Sequence, residues 1–246
     1  MGHVINLVVK AFLYGIDMEQ SRVDVEEEFQ LTAWRRRGPY GRLRNVITFI
    51  TCTPQRREDF YQLAREALPE ETVFQPITVN QTRWNSDYKA IKRAIQLRNA
   101  FEIYIVRHSR NGLEQDQLSI DDWKELQDMV AILEPFHRST LELEGHHGNG
   151  ALYDILLTMD TLLEHLETAK STYTASNSAP HLVQSILLAW EKLNKYYSMT
   201  DANAVLYAAV VLHPALKYDY FEINWAEHPD WIKDAKCKVE ALWQSR

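Results

Sequence analysis

Apolar side chains recur along this chain at intervals of three and four residues, the period of helices laid against a core. The first such stretch runs from Val4 to Tyr14, with Ile5, Val8, Val9 and Phe12 as its inner face and Gly15 as its stop. A second covers Leu43 to Cys52 through Val46, Ile47, Phe49 and Ile50. A third starts at Pro54, carries Phe60, Leu63, Ala64 and Leu68, and stops at Pro69. Residues Glu70 to Thr82 read as a connector, extended around Pro76. Another helix follows Trp84, with Tyr88, Ile91 and Ile95 in register and Leu97 on the flank, and it runs toward Val106. Asn85 or Ser86 is placed to cap it, because a short polar side chain accepts from free first-turn N–H groups. Phe101, Ile103, Tyr104 and Ile105 fit a short strand as well as a helix.

Beyond a loop-like stretch from Arg107 to Ser119, Ser119 and Asp122 have the spacing of a capping box. The helix they open carries Trp123, Leu126, Met129, Val130 and Leu133, and Pro135 kinks or ends it. Gly145 to Gly150 is a break. Leu152 to Leu166 is the next helix, with Ile155, Leu156, Met159, Leu162 and Leu163 on one face, and Ser171 to Pro180 reads as a polar linker. Leu182 to Tyr197 is strongly amphipathic through Ile186, Trp190 and Leu193. Asp201 is placed to cap an apolar helix ending at Leu212, which His213-Pro214 stops. An aromatic segment (Tyr218, Tyr220, Phe221, Trp225) precedes a final helix through Trp243. No repeat of 20–50 residues is visible, which argues against a solenoid. The pattern predicts a mainly α protein.

Composition narrows the chemistry. In 246 residues, 46% are hydrophobic and 25% charged, as in an ordinary globular chain, and eight glycines and eight prolines favour helices over strands and turns. Two cysteines, Cys52 and Cys237, are too few and too distant to form a disulfide framework or a metal site, and a reducing intracellular compartment fits them. The longest apolar run, Ala204 to Leu212, is too short to span a bilayer, so no membrane partner is expected. The apolar start is interrupted by Asn6 and Lys10 and lacks a small-residue cleavage site, unlike a signal peptide.

A formal net charge of −7 makes nucleic-acid binding depend on local segregation of charge. That segregation is present. Between Glu28 and Glu58 there is no acidic residue, while Arg35, Arg36, Arg37, Arg42, Arg44, Arg56 and Arg57 fall in the window. Gly38-Pro39 and Gly41 break the basic stretch into a loop. The arginines suit either a solvated face balanced by the acids at 24–28 or contacts to a phosphate backbone. No nucleophile motif, phosphate loop or zinc spacing occurs. The adjacent pair His146-His147 projects in two directions and makes a poor metal site. The tryptophans at 123, 190, 225, 231 and 243 read as core residues. Trp84 differs, because Arg83 adjoins it at a helix start: its ring either plugs a core or stacks on a flat partner, with Arg83 as a planar cation for phosphate.

Four blocks, taken together, resemble the hAT superfamily of DNA transposases in its fungal Restless-like branch. His3 to Phe12 is similar to the second half of a C-x-x-H-x-x-N-L-V segment. Arg36-Arg37-Gly38-Pro39 through Leu43, with Pro54-Gln55-Arg56-Arg57, is similar to the helical stretch that follows. Thr82-Arg83-Trp84-Asn85-Ser86 resembles a T-R-W-N-S block, and Tyr207 to Pro214 with Lys217 and Phe221 resembles a later A-A-x-x-L-[DH]-P-x-x-K-x-x-F block. The resemblance implies the helical insertion domain of an RNase H-like transposase, residues 16–246 with a sub-boundary near 107–119, preceded by a remnant of the catalytic domain at 1–15.

Intact relatives of that kind are implied to cut and join DNA with three carboxylates and a divalent metal. Their two aspartates would precede residue 1 and their glutamate would follow residue 246. The expectation is therefore a truncated, catalytically inactive, transposase-derived protein with no catalytic residue, no metal ligand and no cofactor of its own. Its expected location is the nucleus. DNA, in the form of transposon ends, is its expected partner, held through Arg83 and Trp84 and the arginines from Arg35 to Arg57. In the resemblance the tryptophan stacks on a flipped base and Arg83 holds a phosphate. The alternatives are a helical protein-interaction module, in homo- or hetero-oligomers with related transposases, or a transposon fragment without function. The interaction module is motivated by apolar surface on Val4 to Phe12, whose packing partner would be missing.

Overall fold

The computed structural model describes residues 1–15, 27–67, 84–143, 151–176, 180–200 and 203–244. The expectations for residues 70–83, for His146-His147, for Asp201 and for most of the acidic run at 24–28 lie outside them. Twelve α-helices and no strand occur among the described residues: α1 (Gly2–Tyr14), α2 (Glu27–Arg35), α3 (Gly38–Thr51), α4 (Pro54–Ala67), α5 (Asn85–Gln96), α6 (Arg98–Arg107), α7 (Ile120–Leu143), α8 (Leu152–Ser176), α9 (Pro180–Thr200), α10 (Ala204–Val211), α11 (Asp219–Asn224) and α12 (Pro229–Gln244). The segment 101–105, readable as strand or helix, is helical: a break at Leu97 separates α5 from α6, and Phe101, Tyr104 and Ile105 are buried. The helical period wins because those three positions share one face.

The main core is built where α1 lies against α9 and α7, α5 against α7, α4 against α6, and α3 against α2, α4 and α7. Ile5, Val8 and Val9 are fully buried and Phe12 nearly so, and each such side chain contributes about 1.5–3 kcal/mol by leaving water. Val4 to Phe12 is thus not left with a bare apolar face. Its partner is α9, about 180 residues on in sequence. A smaller second core gathers Leu156 of α8, Tyr207 and Val210 of α10, Phe221 of α11, Trp225 just after it, and Ala235 of α12. Tyr197 of α9 packs against both cores.

Several predicted boundaries hold. Gly15 ends α1 at φ 71, with its N–H donated to the Ala11 carbonyl. The capping box before α7 is formed: the Ser119 N–H donates to Asp122 Oδ2 at 2.7 Å and the Asp122 N–H to Ser119 Oγ at 3.2 Å. Pro135 does not end α7. One turn before it the Ile132 carbonyl accepts from His165 Nε2 of α8 at 3.0 Å, tying the two helices there.

Other boundaries move. The expected linker from Ser171 is helical to Ser176, because α8 keeps packing on α9. Neither Asn85 nor Ser86 caps α5, whose N-cap is Trp84 without a side-chain bond, while Asn203 caps α10 by accepting from the Val205 N–H. Trp123 and Trp225 are core as expected, but Trp231 is 48% exposed and Trp243 74%, since α12 turns Ile232, Ala235 and Val239 inward instead.

The largest departure concerns residues 36–42. Gly38-Pro39 opens α3 rather than a loop, with Pro39 in the first turn, where a missing N–H costs nothing. Gly41 is helical because α2 passes over it. A Cβ built there would lie 1.8 Å from the Trp34 carbonyl oxygen. Judged as a lone helix position, Gly41→Ala should gain up to about 1 kcal/mol. Here the clash reverses the sign, because overpacking costs about 1–3 kcal/mol or more. A lowered urea midpoint for Gly41→Ala is expected, and a raised one would show that α2 does not sit on α3.

Candidate nucleic-acid interface

The arginine window is held mainly by partners inside the protein. Arg35, at the end of α2, grips Asp116 in a fork, with Nη2 to Oδ2 at 2.7 Å and Nε to Oδ1 at 3.0 Å, and also donates to Gln115 Oε1 and the Gly112 carbonyl. Asp116 is buried and also accepts from Asn45 Nδ2 at 2.9 Å. Arg42 pairs with Asp122 at 2.5 Å and donates to the Gln117 carbonyl. Beside that pair, burial and then the Asp122 charge push the Glu125 carboxyl up to about 7, with Arg42 opposing. Arg37 lies 4.4 Å over the Trp34 ring and Arg56 3.7 Å over Phe49. Arg57 donates to the Thr51 carbonyl, and its side chain is exposed, as is that of Arg36.

Arg44 is the deepest of the set. Its guanidinium lies 4.2 Å over Trp34 and 3.3 Å from Asp87 Oδ1, and both residues are buried. Asp87 also accepts from Tyr14 Oη of α1 and Tyr40 Oη of α3, each at 2.7 Å. One carboxylate thereby joins α1, α3 and α5. Burial pushes the Asp87 carboxyl above its ordinary value, opposed by the two hydroxyls and Arg44. Burial, with the Asp87 charge, also raises both phenols, which stay protonated as donors. A counterpart serves the second core: Asp160 of α8 accepts from Tyr197 Oη at 2.6 Å, Tyr220 Oη at 2.7 Å and Trp225 Nε1 at 3.2 Å.

Arg35, Arg42 and Arg44, all expected to contact phosphate, form ion pairs inside the fold. Their guanidiniums are committed to carboxylates on other elements, and releasing a buried one would strand a charge. Of the two uses left open for Trp84, the structure takes the core. The ring is 2% exposed, set edge-on to Tyr88 at 6.2 Å and to His137 at 6.0 Å. His137 of α7 lies 4.6 Å from Tyr88 and within 3.4 Å of Asn85 Oδ1, so this cluster fastens the start of α5 to α7. Arg83 lies outside the described residues.

The family model of the ZBED1 RNase-like helical domain matches residues 1–132, more than half of the chain and the whole stretch from α1 into α7. The chain belongs to that family. A curated relative, named "Putative transcriptional regulator tpeD", from Talaromyces stipitatus, is 29% identical over 197 residues, covering 77% of this chain and 19% of the relative. The chain thus spans about a fifth of the length of the curated relative it matches. No solved structure matches it. The helical ZBED1-type assignment agrees with the all-helical architecture and places the Asp87 junction, the arginine window and the start of α5 inside one domain type. Among the described residues no helix is long and apolar enough to cross a membrane, and no group of three or more His, Cys, Asp or Glu side chains is placed to hold a metal ion.

Asp87 and Asp160 were not singled out by sequence reasoning, although a signal for Asp87 existed. It falls in step with Ile91 and Ala94 on the inner face of α5, where an acid is out of place unless donors meet it. Tyr14, Tyr40 and Arg44 are those donors. Their positions in sequence, 43 to 73 residues away, gave no hint of it.

Proposed function

We propose that this chain is a transposase-derived helical domain, of hAT-like descent, that holds DNA by its phosphate backbone and performs no strand transfer. The single observation that carries this is the match to the ZBED1 RNase-like helical domain over 1–132, which contains the block at 82–86 and the basic window. The four ordered blocks that resemble hAT transposases support the descent, and the relative's printed name supports work on DNA in the nucleus. The pairing of Arg35, Arg42 and Arg44 within the fold supports weak rather than tight binding, since few guanidiniums remain for phosphate.

Anisotropy titrations of a labelled duplex at 50 and 200 mM salt test this. The expected result is micromolar affinity that falls by about tenfold or more over that range, as for two or three phosphates neutralised. Absence of binding at 50 mM salt, or affinity indifferent to salt, overturns it. A protein-interaction role is the second reading, favoured by the exposed Leu212, Ile223, Trp231 and Trp243 rather than by α1.

A further inference from the structure

Outside the arginine window, the charge on α5 is distributed with one sign. Its polar positions Asn85, Ser86, Lys89, Lys92, Arg93 and Gln96 fall within about 120° of the helix circumference at 100° per residue. Its apolar positions Tyr88, Ala90, Ile91 and Ala94 are buried on the opposite side. The one acid of the helix, Asp87, points inward to Tyr14, Tyr40 and Arg44, so the outward arc carries no negative charge. From Tyr88 to Phe101 the chain has four cations and no acid, in a protein of net charge −7. Arg98 is answered by Glu102. Lys89 and Lys92 are exposed and make no ion pair with a described acid, and Lys92 only leans over the Tyr88 ring at 5.7 Å.

Around His137 the neighbouring helix adds no net charge. On either side of His137, α7 exposes one acid, Glu134, and one base, Arg138. The backing is rigid as well, since Trp84, Tyr88 and His137 pin α5 to α7. An acid-free cationic arc about 16 Å long on a fixed helix is complementary to a row of phosphates and has little to offer an apolar or basic protein surface.

We propose that the outward face of α5, through Lys89 and Lys92 with Arg93 beside them, is the surface on which a nucleic-acid phosphate backbone lies. This rests on the DNA-binding reading above and relocates its contact from the arginine window to α5. Phosphate contacts of this kind fix position without reading bases, so binding through α5 is indifferent to sequence.

The test compares the whole chain with Lys89→Glu/Lys92→Glu and with Lys195→Glu/Lys233→Glu, which makes the same change in net charge at exposed sites on α9 and α12. Affinity for a labelled duplex is measured from 50 to 200 mM salt, with thermal melts to show that both variants fold. The α5 variant is expected to bind at least about tenfold more weakly at 100 mM salt, with a slope of log K against log salt shallower by about two. The α9/α12 variant should stay within about threefold of the unaltered chain. If the unaltered chain binds no duplex, the DNA-binding reading fails. If it binds and the two variants weaken alike, that reading stands and the assignment to α5 is overturned.

Discussion

Asp87→Ala is expected to destabilise the protein by about 3–5 kcal/mol, the range for breaking a buried ion pair by removing one partner. Arg44 has no other carboxylate within ion-pairing distance among the described residues, and both side chains are almost wholly buried. The variant leaves its guanidinium stacked on Trp34 with an uncompensated charge, and two phenolic donors, Tyr14 and Tyr40, lose their acceptor. Removing Arg44 as well, as Met, should restore part of the loss, because a buried pair replaced by apolar groups costs less than half a pair. Urea unfolding of the two variants checks this. A single variant within about 1 kcal/mol of the unaltered chain would mean that the junction of α1, α3 and α5 does not depend on the carboxylate. The same variant changes the pH profile. Burial raises the folded-state Asp87 carboxyl, so the folded chain holds this proton more tightly than the unfolded chain. Its contribution to stability declines as pH rises from the ordinary aspartate range through the raised value, and the alanine variant lacks that slope.

The legible part of the fold is local. Gly15, the Ser119–Asp122 box and the apolar stripes of α1, α7 and α9 each follow from residues within a few positions of one another, and each is where the sequence placed it. Long-range partnership overrode local signals elsewhere. Gly38-Pro39 and Gly41 carry every mark of a loop, yet they start a helix, because α2 needs the absent Cβ of Gly41 to approach α3. Trp231 and Trp243 are large apolar residues on an amphipathic helix, yet α12 buries the smaller Ala235 and the flanks of Ile232 and Val239.

The candidate site divides in the same way. Charge segregation from 35 to 57 is real in the sequence, but whether an arginine faces solvent or a carboxylate depends on acids 43 to 81 residues distant. Asp116, Asp122 and Asp87 all come from outside the window. Acid-free stretches therefore overstate free positive charge when acids from other helices fold against them. On α5 the one acid turns inward instead, and the exposed Lys89 and Lys92 on the outward arc make no ion pair with a described acid.

Asp160→Ala should act on one part of the molecule. Its carboxylate takes three donors, from Tyr197 of α9, Tyr220 of α11 and Trp225 just beyond it, and so ties α11 and the turn after it to α8 and α9. Each donor left without an acceptor costs about 1–3 kcal/mol where water is excluded. The second core has little to offset that. Leu156, Tyr207, Val210, Phe221, Trp225 and Ala235 are its buried members, whereas the main core draws on α1 and α3 to α9. A segment with few buried contacts opens before the rest when its polar tie is cut. Amide exchange in α10, α11 and α12 should therefore quicken by at least about tenfold in the variant, while protection in α1, α3 and α5 stays as it was. Equal loss across both groups of helices would show that the two cores unfold as one unit, with Tyr197, which packs on each, as the group that couples them.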